Sequence, residues 1–156
     1  MKTLLVFAFV VLQTAGDRPA ASAPRIVGAW RAVEITLTAP IAQTIEPGPN
    51  LAVFSATQYS RVLVAGLQAP LGDPRVATAD ELRATWGPFV GEAGTYVISD
   101  GLITLRPIAA KNPAAVAKPI VFSYRWVDRG TLLVTSVSDR NGAVAHPETI
   151  TLHRVE

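Results

Sequence analysis

The sequence predicts an all-β fold, an eight-stranded antiparallel barrel with one helix between the third and fourth strands. Three observations lead there. Short runs rich in β-branched and aromatic residues recur along the chain, each bounded by turn residues. Asp100-Gly101 separates two such runs by two residues, a tight-hairpin signal, because Gly tolerates the positive φ that this turn needs. The connections are mostly short, which makes successive strands antiparallel neighbours. Eight strands can close into a barrel that holds side chains or one small ligand, and closure removes the exposed edges that invite aggregation.

Taken in order, the chain opens with Lys2, an apolar run over residues 4–12, and small residues at Thr14-Ala15-Gly16 and again at Ala21-Ser22-Ala23. This is the pattern of a secretory signal peptide, residues 1–16, and the run is well short of the roughly 20 residues of a membrane span. Residues 17–24 read as a flexible Pro/Ala-rich lead-in, and 25–156 as the barrel domain. Strands are expected over 26–38, 51–56, 59–66, 94–99, 102–108, 119–128, 131–138 and 148–155, with a long Pro/Gly loop over 40–50. Residues 79–90 read as the helix. Thr78 and Glu81 have capping-box spacing, and Leu82, Trp86, Phe89 and Val90 form one stripe that suits a plug across a barrel end or a lid over its mouth. Pro88 ends or kinks the helix.

Composition narrows the function. Apolar residues make up 49% and charged residues 17% of 156, enough for one packed domain and too apolar for a disordered chain. The chain has no Cys, so stability comes from packing and no lipid attaches through a lipobox. Removing residues 1–16 takes away Lys2 alone, and the net charge falls from +2 to +1. Without a basic patch there is no electrostatic footprint for nucleic acid. No membrane span is expected after signal removal, and the oligomeric state is left open. Secretion or a periplasmic location follows from the signal.

Gly28-Ala29-Trp30 opens the first strand, and Arg154 lies in the last, within Leu152-His153-Arg154-Val155-Glu156. The pair looks like the lipocalin signature. Trp30 would plug the narrow end, Arg154 would cover its ring by a cation–π contact, and Gly28 would allow close backbone approach. Longer segments resemble bacterial proteins with a lipocalin-like domain: Phe54-Ser55-Ala56-Thr57-Gln58-Tyr59-Ser60, Ala84-Thr85-Trp86-Gly87-Pro88-Phe89-Val90, Ala93-Gly94-Thr95-Tyr96 and Leu105-Arg106-Pro107-Ile108-Ala109-Ala110-Lys111-Asn112-Pro113. The likeness spans residues 25–156 and implies the fold, with no chemistry attached. The chain departs from ordinary lipocalins in lacking disulfides and their later loop motifs.

Catalytic signatures are absent from the sequence. His146 and His153 have no metal-ligand spacing, and there is no nucleophile elbow, phosphate loop or cofactor motif. No catalytic residue, metal or cofactor is therefore expected. Binding has more to stand on. Phe122, Tyr124 and Trp126 share one strand face with Ile120, a suitable wall for an apolar ligand or equally a ligand-free aromatic core. Tyr59, Arg61, Tyr96 and Arg106 lie in strands that could close round the same space. An inward Arg61 or Arg106 needs Glu34 or an acidic head group, because an unpaired buried charge is too costly. One conflict stays open: if Trp30 points inward, simple alternation sends Glu34 inward and Val33, Ile35 and Leu37 outward, unless a bulge flips the register or the outer face is covered. The leading expectation is an exported barrel binding a small hydrophobic or amphipathic molecule. The alternatives are a cofactor-independent isomerase or cyclase acting on such a ligand, and a structural or inhibitory barrel with a filled core.

Overall fold

The computed structural model describes residues 25–65, 70–116 and 118–155. The expected signal peptide and lead-in, residues 1–24, lie outside them. The described strands are β1 (Gly28–Leu37), β2 (Gln43–Ile45), β3 (Asn50–Phe54), β4 (Gln58–Val64), β5 (Phe89–Ser99), β6 (Leu102–Ala110), β7 (Ile120–Trp126), β8 (Thr131–Asp139), β9 (Gly142–Ala143) and β10 (Glu148–Arg154). One α-helix, α1 (Ala79–Trp86), joins β4 to β5. Eight of the strands run antiparallel in the order β1-β3-β4-β5-β6-β7-β8-β10, and β10 pairs back onto β1 to close the barrel. The short β2 covers the far part of β1, and β9 extends β8.

The helix lies between β4 and β5 and not between the third and fourth strands. The count shifts because Gln43–Ile45, read as loop, pairs with Ile35–Leu37 as a strand of its own. The capping box at Thr78 and Glu81 forms as its spacing predicts. The helix stops at Trp86, before Pro88, and Phe89 and Val90 instead pair with Val64 and Leu63 as the start of β5. α1 buries none of its residues, and Trp86 is half exposed, so the helix does not plug the barrel. Lys111 anchors its C-terminal end through the carbonyls of Trp86 and Phe89.

A β-bulge resolves the conflict in β1. Ala32 faces Leu152 across the ladder and Glu34 faces Thr151, so Val33 is an extra residue. Trp30 and Ala32 point inward before the bulge, Ile35 and Leu37 after it, and Glu34 is exposed. Asn50 holds the site by imitating a strand. Its amide oxygen accepts the Ala32 N–H at 2.6 Å, and its amide nitrogen donates to the Ala32 carbonyl at 3.0 Å.

One end of the barrel is sealed. Trp30 and Leu132 are fully buried there, with Trp126 5.6 Å from Trp30 between ring centres. Arg154 stacks 4.3 Å over the Trp30 ring and donates to the carbonyls of Val27 and Arg25 at 2.7 and 2.6 Å. Trp30 Nε1 donates to the Ile26 carbonyl at 2.6 Å, so its polar atom is satisfied. Above this floor Phe54 packs edge-on against Tyr96 and stacks near Tyr59.

Candidate functional site: the barrel cavity and its buried carboxylate

Above the floor the barrel is hollow. A cavity of about 620 Å³ occupies its interior. Inward alternation places Ile103 and Leu105 of β6, Phe122 of β7, Val134 of β8, and Ile150 and Leu152 of β10 on its wall. Phe54 of β3 and Ile35 and Leu37 of β1 complete the apolar lining, the last two only because of the bulge. The rim lies at the end opposite Trp30 and includes the exposed Ile45, Leu51, Val62 and Ala65. A mostly apolar concavity of roughly 300–1,000 Å³ with few polar groups is the usual form of a small-molecule site.

The polar groups are concentrated in one cluster. Glu92 shares the inner face of β5 with Gly94 and Tyr96, and its side chain is wholly buried. Its cross-strand partner on β4 is Arg61, whose Nε donates to Oε1 at 2.8 Å. From the β8–β9 turn Arg140 reaches across the interior, and its guanidinium donates to Oε2. Tyr59, two residues before Arg61 on the same face, donates its hydroxyl to Oε1 at 3.2 Å. Burial, and after it the negative charge of Glu92, pushes the Tyr59 phenol far above its ordinary range, so it stays a donor. Burial also raises Tyr96, whose hydroxyl donates to the Ser55 carbonyl at 2.7 Å.

A buried carboxylate persists only when paired and hydrogen-bonded, and Glu92 meets both conditions. The pairing is unequal: Arg61 and Arg140 bring two positive charges to one negative charge. Both arginines line the cavity. The Nε of Arg140 is buried and has no hydrogen-bond partner among the described residues. Leaving such a donor unsatisfied costs about 1–3 kcal/mol. Through Arg61 and Arg140 the cluster brings positive charge to an otherwise greasy space. Glu92 itself lies behind the two arginines, and the carboxylate that lines the cavity is Glu148, half-buried on β10.

The structure brings Tyr59, Arg61, Tyr96 and Phe122 together in the interior. Trp126 belongs to the sealed floor with Trp30, and Tyr124 is partly buried against the core without reaching the cavity. Arg106 is on the outer face of β6, exposed between the buried Leu105 and Pro107, and does not line the cavity. Glu34, His146 and His153 are exposed. Sequence reasoning missed Glu92 and Arg140. Glu92 could have been found by carrying the two-residue period back from Tyr96 through Gly94; Arg140, beside the Asn141-Gly142 turn, carries no periodic signal.

No protein-family model matches the chain, and no curated protein matches its sequence. Among solved structures it is similar to a lipocalin-like protein from Bacteroides uniformis ATCC 8492, with a TM-score of 0.46, 10% identity, and coverage of 82% of this chain and 96% of that one. It is also similar to an uncharacterized protein from Bacteroides eggerthii DSM 20697, with a TM-score of 0.45, 11% identity, and coverage of 82% and 98%. A redesigned β-barrel follows at a TM-score of 0.41 and 13% identity, covering 83% of this chain and 91% of that one. The chain is a closed eight-strand barrel with Trp30 across one end and Arg154 over the ring, the arrangement that the resemblance of its sequence to lipocalins leads one to expect.

Proposed function

We propose that this barrel binds one small hydrophobic or amphipathic molecule, its apolar part inside the cavity and its polar end toward Arg61 and the rim, and that it does so after export. The observation that carries the reading is the hollow interior of about 620 Å³, lined mostly by apolar side chains, with Arg61, Arg140 and Glu148 as its charged groups. A filled-core barrel would need that space occupied by its own side chains. The signal-like residues 1–16 support the export part.

The test is titration with N-phenyl-1-naphthylamine, a neutral apolar fluorophore. Saturable binding of one probe per chain at micromolar or better affinity is expected, with displacement by dodecanol. Ala52 lines the cavity, so Ala52→Phe should put a ring into the space and abolish binding while the far-UV spectrum stays that of a β-protein. Non-saturable uptake, or binding indifferent to Ala52→Phe, would sink the proposal.

A further inference from the structure

The two ends of the barrel differ in charge. The floor end exposes Arg25, Arg31, Arg125, Asp128 and Arg129, and its exposed apolar residues, Val27 and Val127, are interleaved with them. At the other end Leu37 pairs with Gln43, Leu51 with Val62 and Val64 with Phe89, which gathers residues 38–51, 62–65 and 86–91 around the mouth. Those three segments contain a single charged residue, Glu46. Beside them Lys111 is engaged by the carbonyls of Trp86 and Phe89, and Asp80 and Arg83 of α1 form their own ion pair at 2.7 Å. The same segments expose apolar side chains: Ile41, 73% exposed, then Ile45, Leu51, Val62 and Trp86. Trp86 meets Phe89 edge-on, 5.8 Å between ring centres, and the Phe89 ring lies over Gly91 beside Val62.

We infer that the mouth of the barrel docks on a neutral lipid surface, with Ile41, Trp86 and the rims of β2, β3 and β4 in the interfacial layer and the cavity open toward the acyl chains. This goes beyond ligand binding: it assigns the outer surface around the mouth. Three features converge on it. First, the collar is poor in charge, whereas a charged partner would ask for opposing charges there. Second, Ile45, Leu51 and Val62 belong both to the collar and to the cavity wall. The apolar surface therefore runs unbroken from outside to inside, and a molecule scarcely soluble in water can pass along it out of a lipid phase. Third, α1 is a helix of eight residues that buries none of them, yet it is held in place by its capping box and by Lys111. Its Leu82 and Trp86 share one face, and tryptophan is favoured where lipid meets water. No helix among the described residues is long and apolar enough to cross a membrane, so the contact of this end is superficial. A second copy seated mouth to mouth would cover the same residues but would close both cavities.

The experiment adds vesicles of phosphatidylcholine brominated on its acyl chains to the full chain and reads Trp86. Trp30 is fully buried and Trp126 packs against it in the floor, so Trp86 is the exposed reporter, and its emission is isolated by subtracting that of Trp86→Phe. The apolar run over residues 4–12 can itself tether the full chain to vesicles, so quenching of Trp86 is the readout and not co-sedimentation. Trp86 emission should move to shorter wavelength and be quenched severalfold. Mixing in phosphatidylglycerol should not increase the quenching. Ile41 does not line the cavity, so Ile41→Asp should cut the quenching severalfold and leave uptake of the neutral fluorophore unchanged. Val127→Asp, at the floor end, should change neither. Vesicle-bound protein with Trp86 unquenched overturns the docking, as does quenching that Ile41→Asp leaves undiminished or that needs phosphatidylglycerol. A lipid-free dimer in which Trp86 is already shielded from iodide overturns it in favour of a second copy. Ligand binding is read without vesicles, so each proposal can fail while the other stands.

Discussion

At Glu92 one carboxylate decides whether two arginines can share the barrel interior. Glu92→Gln keeps the shape and removes the charge, leaving Arg61 and Arg140 to face each other. Breaking a buried pair costs about 3–5 kcal/mol; here both arginine side chains keep some solvent contact, and the loss should be about 2–4 kcal/mol in urea unfolding. Arg106→Gln, on the outer face, should shift the same midpoint by no more than about 0.5 kcal/mol. A shift for Arg106→Gln as large as that for Glu92→Gln would show that the buried cluster is not special. The contrast between these arginines also marks what the sequence could tell. Arg61 was legible as sharing a strand face with Tyr59, but not as an inward residue. Arg106 was equally plausible, since nothing in a strand run says which of its two faces is inside until a neighbour fixes it. Arg140 was not legible, because a turn residue reaches a distant site only through the three-dimensional path of its strands.

At the scale of elements, bulges set which side chains reach the cavity. The β5–β6 ladder slips between Ala93 and Gly94, so that Gly94 faces Pro107. A Cβ on Gly94 would lie 2.0 Å from the Arg106 carbonyl oxygen, a backbone atom with no rotamer to move. Gly94→Ala should therefore destabilise by about 1–3 kcal/mol, read from the thermal or urea midpoint. An unchanged midpoint would mean that the two strands can part without loss. The bulge in β1 has the same logic in another strand. Alternation alone raised the conflict around Glu34 correctly, yet could not site the extra residue, because a bulge is fixed by the partner strand and by Asn50, eighteen residues away. The hairpin at Asp100-Gly101 was readable for the opposite reason. Its positive φ values, 53° and 76°, are a local demand that local residue types announce. β2 was missed because three residues in a Pro/Gly segment carry no period, and α1 was overrun because Phe89 and Val90 suit a helical stripe as well as the strand they form.

At the scale of the whole molecule, Trp30 and Arg154 join the two ends of the described chain into one floor. Trp30→Ala should cost about 3–5 kcal/mol, since it empties a fully buried position in the barrel floor. Arg154→Ala should cost about 1–3 kcal/mol through the lost ring contact and the carbonyl bonds to residues 25 and 27. The double variant should lose less than the sum of the two, because the residues touch. Strict additivity in chemical denaturation would show that they are not a structural pair. The eight-strand closure was legible from run spacing and turn chemistry, whereas the hollowness of its interior was not, since cavity volume depends on how side chains from every strand meet. The way the barrel closes also sets a timetable. The floor bond from Arg154 to Val27 spans 127 residues, and β10, the strand that completes the circle, is the last of the ten to leave the ribosome. Until it emerges, β1 and β8 both wait with bare edges, and no amount of local hairpin formation can cover them. Such late, distant pairing is slow to find. For this chain the hazardous interval is the time before the last strand arrives, when a neighbouring molecule can take the place reserved for β10.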